Sequence, residues 1–419
     1  MAASPPPAAT TDFVIIGGGL AGLSTAIELA KAQPGCSIAL LEAKVVGYGA
    51  SGRNGGLLSP LPAPIWLFSA GRNKDHTWAL RQLNEDVAAV ANWLAAELPG
   101  SEIQRCRLRI EAAGPILSSG LQQVAQVLSH AGIAHELTPD RSGQRSRNLE
   151  LMGHTVQPYN LVRALAAYAT RLGVRIHQHT AVAAIEQAAA GAVVGLAAGG
   201  RIRASSVVVC TNAYTGSLTL PDPVRAAVRA KVMHNYMVAT DPLGADALRA
   251  LGGGNAGDAF TVELNRAYVF YRMHAGRLLF GGIDKVRPGA AGDFDVPPPV
   301  LAQLKVLLGR SFGQGPQLEL SHAWGGQFHV TKTELPIIQR VAETPSVVLN
   351  VGYGGTGVAL TLVCARMAAS LAAGQVRQAQ DTARLFQIMQ ATRLPVVDGL
   401  KFAGDVAWRV LTGGPAKNP

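Results

Sequence analysis

Phe13-Val14-Ile15-Ile16-Gly17-Gly18-Gly19-Leu20-Ala21-Gly22 is a short apolar run entering Gly17-x-Gly19-x-x-Gly22. Beyond the glycines, Leu23, Ala26, Ile27 and Ala30 recur at helical spacing, and Pro34 and Gly35 break that helix before a second apolar run, Ser37 to Leu41. Glu42 follows at once, twenty residues past Gly22. Strand, glycine turn, helix, strand and acid in this register predict a βαβ unit that binds a dinucleotide. The first glycine permits the tight turn, the second lets backbone amides approach a pyrophosphate, and the third lets helix and strand pack. Helix-terminal amides then face the phosphates, and the acid accepts from a ribose hydroxyl.

The whole chain is 419 residues, 48% hydrophobic and 15% charged, which suits two or three domains at about 150 residues each. That balance excludes a disordered chain, and the 47 glycines show no collagen period. No membrane span is expected, because the most apolar stretch is studded with glycines and closed by Glu28. Net charge is +10, so the surface attracts anions. Arg141, Arg145 and Arg147 lack interleaved aromatics and read as a solvated loop, so no nucleic-acid partner is expected. Cys36, Cys106, Cys210 and Cys364 form no C-x-x-C pair and have no histidine at zinc spacing, so neither a disulfide framework nor a metal site is expected. A cytoplasmic location fits, and Met1 to Thr11 reads as a tail.

Outward from the βαβ unit, Asp75 to Leu98 predicts a long amphipathic helix, and Arg105, Arg107 and Arg109 alternate with Cys106, Leu108 and Ile110 as in a strand with one wet face. Asn160 is expected to cap a helix running through Leu161, Leu165 and Tyr168. Strands are expected at Val174 to Ile176, Val182 to Ile185, Val193 to Leu196, Ser206 to Cys210, Tyr236 to Ala239, Ala267 to Arg272, Arg277 to Phe280 and Val347 to Val351. A helix near Val300 to Leu308 and a last glycine turn and helix, Gly352 to Leu371, complete the pattern. The alternation predicts two domains interleaved in sequence.

A second glycine-rich segment, Gly47 to Gly56, packs five glycines into ten residues just after Glu42. It reads as a loop that lets backbone approach a large planar ring, with Ser51, Arg53 and Asn54 as polar contacts, or else as a flexible surface loop.

On these residues the chain resembles the flavoproteins of the D-amino-acid oxidase superfamily, which includes glycine oxidase, sarcosine oxidase and the γ-glutamylputrescine oxidases. Further matching stretches are Gly49 to Gly56, Gln157-Pro158, Val207 to Val209 with Thr211-Asn212-Ala213, Arg277 to Gly282, Trp324-Gly325-Gly326 and Gly352 to Val358. The Trp324 and Arg53-Asn54-Gly55-Gly56 motifs are most similar to the γ-glutamylputrescine oxidase branch. The resemblance implies an α/β fold: a Rossmann-like FAD-binding domain (10–68, 150–225 and 340–400) interleaved with an α+β substrate domain (69–149 and 226–339) built on a mainly antiparallel sheet, with tails at 1–9 and 410–419. It implies extended FAD, with Gly17, Gly19, Leu20, Ala21 and Gly22 at the pyrophosphate and Glu42 and Ala43 at the adenosine ribose. Val182 meets the adenine end, and Ser51, Gly52, Arg53, Asn54, Gly55, Gly56 and Leu57 lie beside the isoalloxazine ring. Thr211, Asn212 and Gly326 are further contacts, and Gly354, Gly355, Thr356, Gly357 and Val358 bring amides to the flavin's pyrimidine edge.

Departures from the family shape the expected chemistry. Where glycine oxidase-like members place an arginine for the substrate carboxylate, this chain reads Gln327-Phe328-His329, and where sarcosine oxidase-like members place a lysine over the flavin it reads Leu278-Leu279-Phe280. The place of the cysteine that holds flavin covalently in sarcosine oxidases is Gly326, so FAD is expected to be non-covalent. The expected enzyme is an FAD-dependent amine oxidase or dehydrogenase that takes an amine, one carrying an anionic group included, to an imine and then a carbonyl. Electrons pass to dioxygen or another acceptor. A flavin dehydrogenase of a hydroxy acid and a non-catalytic flavin-binding protein are the alternatives. Candidate substrate-side residues are Arg272, to grip an anion, and Tyr271, His329 and His234, to act on protons. A surface ion pair for Arg272 and structural roles for the other three are the competing readings.

Overall fold

The dinucleotide fingerprint sits in the middle of a parallel sheet. The computed structural model describes residues 7–62, 74–112, 115–139, 147–251, 258–264, 268–286, 294–312, 318–375 and 380–391. Arg141, Arg145, Ala267 and the tail 410–419 lie outside the described residues, as do 1–6 of the N-terminal tail.

In chain order the elements are β1 (Thr10–Ile16), α1 (Leu20–Ala32), β2 (Ile38–Leu41), β3 (Leu57–Leu58), α2 (Lys74–Glu97), β4 (Gln104–Ala112), α3 (Pro115–Ala131), β5 (His135–Pro139), β6 (Arg147–Thr155) and α4 (Pro158–Arg171). Next come β7 (Arg175–His177), β8 (Val182–Gln187), β9 (Ala192–Leu196), β10 (Arg201–Val209), α5 (Asp222–Ala227), β11 (Ala230–Thr240), α6 (Ala245–Ala250), β12 (Ala259–Leu264), β13 (Val269–His274) and β14 (Arg277–Val286). The chain continues through α7 (Pro298–Phe312), β15 (Leu320–Thr331), β16 (Ile337–Val341), β17 (Thr344–Val351), α8 (Gly357–Val363), α9 (Ala365–Ala372) and α10 (Gln380–Ala391).

The first sheet runs β16-β17-β10-β1-β2-β7, with the β8–β9 ribbon joined at β10. β1 lies parallel to β10 and β2, with Val14 opposite Val207 and Ala39. Successive β1 residues feed opposite cores. Ile15 packs among α1, α4 and α8 residues, whereas Val14 packs with Ile185, Val194 and Val347. This two-sided burial is why β1 is continuously apolar and does not alternate. The second sheet runs β15-β11-β14-β13-β12-β4-β6-β3, with β5 on β6. Among the described residues of this sheet, β12 and β4 pair in parallel and the other neighbouring strands pair antiparallel.

Sheet membership departs from the expected segments at three strands. β3 and β6 belong to the second sheet although their residues fall mostly in 10–68 and 150–225, and β16 belongs to the first although it starts before 340. The chain leaves the first sheet right after Gly55-Gly56, where Leu57 and Leu58 pair with Thr155 and His154. A two-residue strand carries no periodicity to announce that crossing.

Two local expectations are corrected. Asn160 is not the cap of α4: Gln157 is, its Oε1 accepting from Asn160 N at 2.7 Å, because Pro158 fixes the first helical position one turn earlier. The helix expected from 352 to 371 is broken into α8 and α9, bent by 64°. Ser24 Oγ on α1 donates to Thr361 O at 3.0 Å, taking the carbonyl that would otherwise continue the helical ladder into α9. Among the described residues no single helix is long and apolar enough to cross a membrane.

Candidate functional site

The first glycine turn has the geometry its sequence requires. Gly17 has φ +110°, and a side chain at Gly22 would place its Cβ 2.0 Å from Gly17 O, so helix and turn approach as only glycine allows. Glu42 closes the far side. Its Oε2 accepts from Gly18 N at 2.7 Å and its Oε1 from Lys44 N at 2.8 Å. Each carboxylate oxygen keeps a lone pair for a further donor. Burial holds the carboxyl pKa above its ordinary value, opposed by the two backbone bonds. Val182 opens β8 near the same end of the sheet, two residues after Thr180, whose amide donates to Glu42 O at 2.8 Å. Ala43, beyond Glu42, is exposed.

The glycine-rich loop is folded on its own side chains. Ser51 Oγ accepts from Leu20 N at 2.9 Å, and Asn54 donates to Ala50 O and Ser51 O while accepting from Gly56 N at 2.8 Å. These bonds make it an organised lobe over the start of α1, so the flexible-loop reading is not what the structure shows. Arg53 Nε donates to Tyr48 O at 2.8 Å, its guanidinium lies 3.4 Å from the Phe294 ring centroid, and Trp324 Nε1 donates to Arg53 O at 2.9 Å. Gly326 passes beneath, a Cβ there falling 3.7 Å from Arg53 Cβ.

The second glycine turn meets the first through β10. Asn212 follows that strand with φ +43°, and its Oδ1 accepts from Gly352 N at 3.0 Å. Asn350, fully buried on β17, accepts from Tyr353 OH and donates to Thr25 Oγ1 at 3.0 Å. Gly354 has φ +57°, Gly355 faces open space, and α8 starts at Gly357-Val358. Thr211 Oγ1 bonds Thr215 Oγ1 at 2.9 Å beside it.

Strand register sorts the substrate-side candidates, because residues directly opposite on neighbouring strands share a face. Tyr236 faces Gly325, His234 faces Gln327 and Val232 faces His329. That face packs on α7, where Tyr236 and Phe280 join Leu304 and Leu307 in one core. Tyr271 joins the same core, edge-on to Phe312 at 4.8 Å and stacked on Phe280 at 6.1 Å. The opposite face carries Trp324 and Gly326 against the Arg53 loop. It also carries Phe270 and Met237, which both meet the Cβ position of Gly281, and Arg272. Tyr271, His234 and His329, expected to act on protons, therefore lie on the face turned away from the loop, and Arg272 on the face turned toward it, because successive residues of a strand point to opposite faces. Burial pushes the Tyr271 phenol pKa up and draws His329 down to about 4.

Arg272 is the candidate that faces the loop, but it is not in a surface ion pair. It is 4% exposed, and Nη2 donates to Val156 O at 2.8 Å. It presses on Gly56, whose Cβ would stand 2.9 Å from Nη2. Burial lowers its pKa to about 10. Sequence reasoning did not single out Tyr48, Phe294, Phe270, Met237, Tyr214 or Asn350. Asn350 was findable as a polar residue inside the apolar strand 347–351; the others needed the strand register.

A family model described as FAD dependent oxidoreductase matches residues 12–371. The chain is 28% identical over 384 residues to the probable oxidoreductase OrdL of Rhizobium meliloti, covering 88% of this chain and 85% of that protein. It is 28% identical over 402 residues to the gamma-glutamylputrescine oxidoreductase of Escherichia coli, covering 90% and 87%. The solved structure of glycine oxidase from Geobacillus kaustophilus superposes with a TM-score of 0.69 at 20% identity, covering 88% of this chain and 96% of that one. FAD fits the residues present. Two buried hydroxyls beside the glycine turns, Tyr214 OH and Thr356 Oγ1, have no hydrogen-bond partner among the described residues, which suits a polar ligand lying between them.

Proposed function

The chain belongs to the FAD dependent oxidoreductase family, and from that premise we propose that it oxidises the C–N bond of an amine. FAD, when bound, supplies a two-electron acceptor. In this reading Gly17 to Gly22 and Ser51 hold the pyrophosphate, Glu42 the ribose, the Ser51 to Leu57 loop the ring, and Thr356 with the α8 N-terminus the pyrimidine edge. The first sheet with its helices forms the cofactor unit and the second sheet the substrate unit.

The observation that carries the choice of an amine is the sorting of the faces. Phe270, Met237 and Trp324 share the loop-facing side with Arg272, whereas Tyr271, His234 and His329 lie behind the sheet. A hydroxy acid needs a protein base to take its hydroxyl proton as hydride leaves. A neutral amine needs none, because its own lone pair forms the C=N bond as the C–H bond breaks and its electron pair departs. The nitrogen proton passes to solvent, and water then adds to the imine to give carbonyl and released amine. The apolar wall strips solvent from the amine, favours its uncharged form and holds the carbon in place. Arg272 serves as a brace for Val156 and Gly56 in this scheme.

Anaerobic titration of the FAD-loaded protein with a panel of amines and of hydroxy acids tests the proposal. Bleaching of the oxidised flavin spectrum by amines alone is expected. Bleaching by hydroxy acids alone, or by nothing in either panel, overturns it.

A further inference from the structure

Arg53 stands in a cavity of about 310 Å³ lined by Val45, Gly47, Tyr48, Gly52, Tyr159 and Trp324. Its Nε is committed to Tyr48 O, and the Phe294 ring fixes the guanidinium plane. The two terminal nitrogens make no hydrogen bond among the described residues, and no carboxylate there pairs with the group. A planar fork held at one edge presents the other in the geometry that suits a carboxylate. Partial burial also lowers the pKa of Arg53, the sign of a cation lacking a compensating anion.

The rim of the cavity is apolar. Val45 is 37% and Tyr159 43% exposed, two of the five large hydrophobic side chains left exposed among the described residues. An apolar rim over a cationic floor matches a ligand with a hydrocarbon body and an anionic end, and the +10 net charge draws such ligands in.

The geometry points to a carboxylate subsite at Arg53, with Val45, Tyr159 and Trp324 as its hydrocarbon walls, that receives the far end of an ω-amino acid whose amine is oxidised. The substrate role rests on the amine reading above; the carboxylate site itself does not. Arg53 belongs to the Ser51 to Leu57 loop assigned to the flavin ring, so its free terminal nitrogens place the subsite next to that ring's proposed position. The anionic grip expected of Arg272 moves here, because Arg272 is closed off beneath Gly56.

The first test titrates FAD-loaded protein with hexanoate and with hexanamide, which has the same shape without the charge, reading tryptophan emission. Trp324→Phe identifies the reporting side chain. Hexanoate is expected to bind at least tenfold tighter than hexanamide. Arg53→Gln should abolish the preference, Arg53→Lys should keep part of it, and Tyr159→Ala, at an exposed position, should weaken both probes alike. Equal binding of the two probes to the wild type, or an unchanged preference in Arg53→Gln, overturns the site. The second test compares 6-aminohexanoate with hexylamine as reductants. A lower KM for the amino acid that Arg53→Gln removes supports the substrate role, and equal KM values in the wild type overturn it. Reduction by neither amine sinks the amine reading instead, while the hexanoate titration still decides the carboxylate site.

Discussion

Ser51 Oγ accepts the amide proton of Leu20 at 2.9 Å, so the glycine-rich loop caps the helix that follows the dinucleotide turn. Two segments that read separately in the sequence are one structure. The helix has no side-chain cap from its own N-cap residue, Gly19, and Ser51 takes over that task from thirty-one residues away.

Ser51→Ala should destabilise the protein by about 0.5–2 kcal/mol, the usual cost of losing an N-cap. The loop loses its anchor on α1 as well, so FAD should dissociate more readily. Urea midpoints with and without FAD measure both effects. An unchanged midpoint in both states would show that the cap contributes nothing.

Glu42 accepts two backbone amides and is assigned the ribose hydroxyls, so Glu42→Ala should weaken FAD binding on the order of 1–3 kcal/mol, the range for a charged acceptor. Dilution of purified protein followed by filtration measures flavin retention. Equal retention by variant and wild type removes Glu42 from the cofactor site.

The cofactor half was legible because its signals are local: Phe13 to Glu42 carries strand, turn, helix, strand and acid within thirty residues. Helix α3 carries Leu117, Leu121, Val124 and Leu128 at helical spacing, but no flanking motif marks its ends. The substrate half was less legible for a physical reason. Alternation along β13 separates Tyr271 from Arg272, yet it does not say which face meets the loop. That is decided by β15 crossing beneath Arg53, a contact between residues 271 positions apart, and by α7 covering the other side. Arg53 is legible as a polar contact of the glycine-rich loop, but its partner Phe294 has no motif of its own.

His329 is 4% exposed, and its pKa is drawn from 6.5 to about 4 by burial. Between those values the unfolded chain binds the proton and the folded one does not, so stability falls as pH falls through that window. The contribution is up to about 3 kcal/mol, from about 1.4 kcal/mol per pKa unit. His329→Leu should flatten the loss of stability between pH 6.5 and pH 4 relative to wild type. Urea midpoints of both proteins across that range check it, and parallel curves would mean that His329 has the same pKa in the folded and unfolded chain.

Flavin should leave the protein intact on denaturation. Covalent attachment through sulfur needs a thiolate at the ring. Gly326, where sarcosine oxidase-like proteins place that cysteine, has no side chain to attack with. The buried thiols are poor nucleophiles. Burial raises Cys106 to about 11 and Cys210 to about 12, and holds Cys364 well above its ordinary value. Cys106 lies near Arg272, whose charge lowers its pKa but does not overcome burial. Cys36 is only partly buried, but it follows α1 in the turn before β2, at the opposite end of that helix from the glycine turn. Acid precipitation followed by centrifugation should therefore leave the yellow colour in the supernatant, and colour that pellets with the chain would place a nucleophile at the ring that these side chains do not supply.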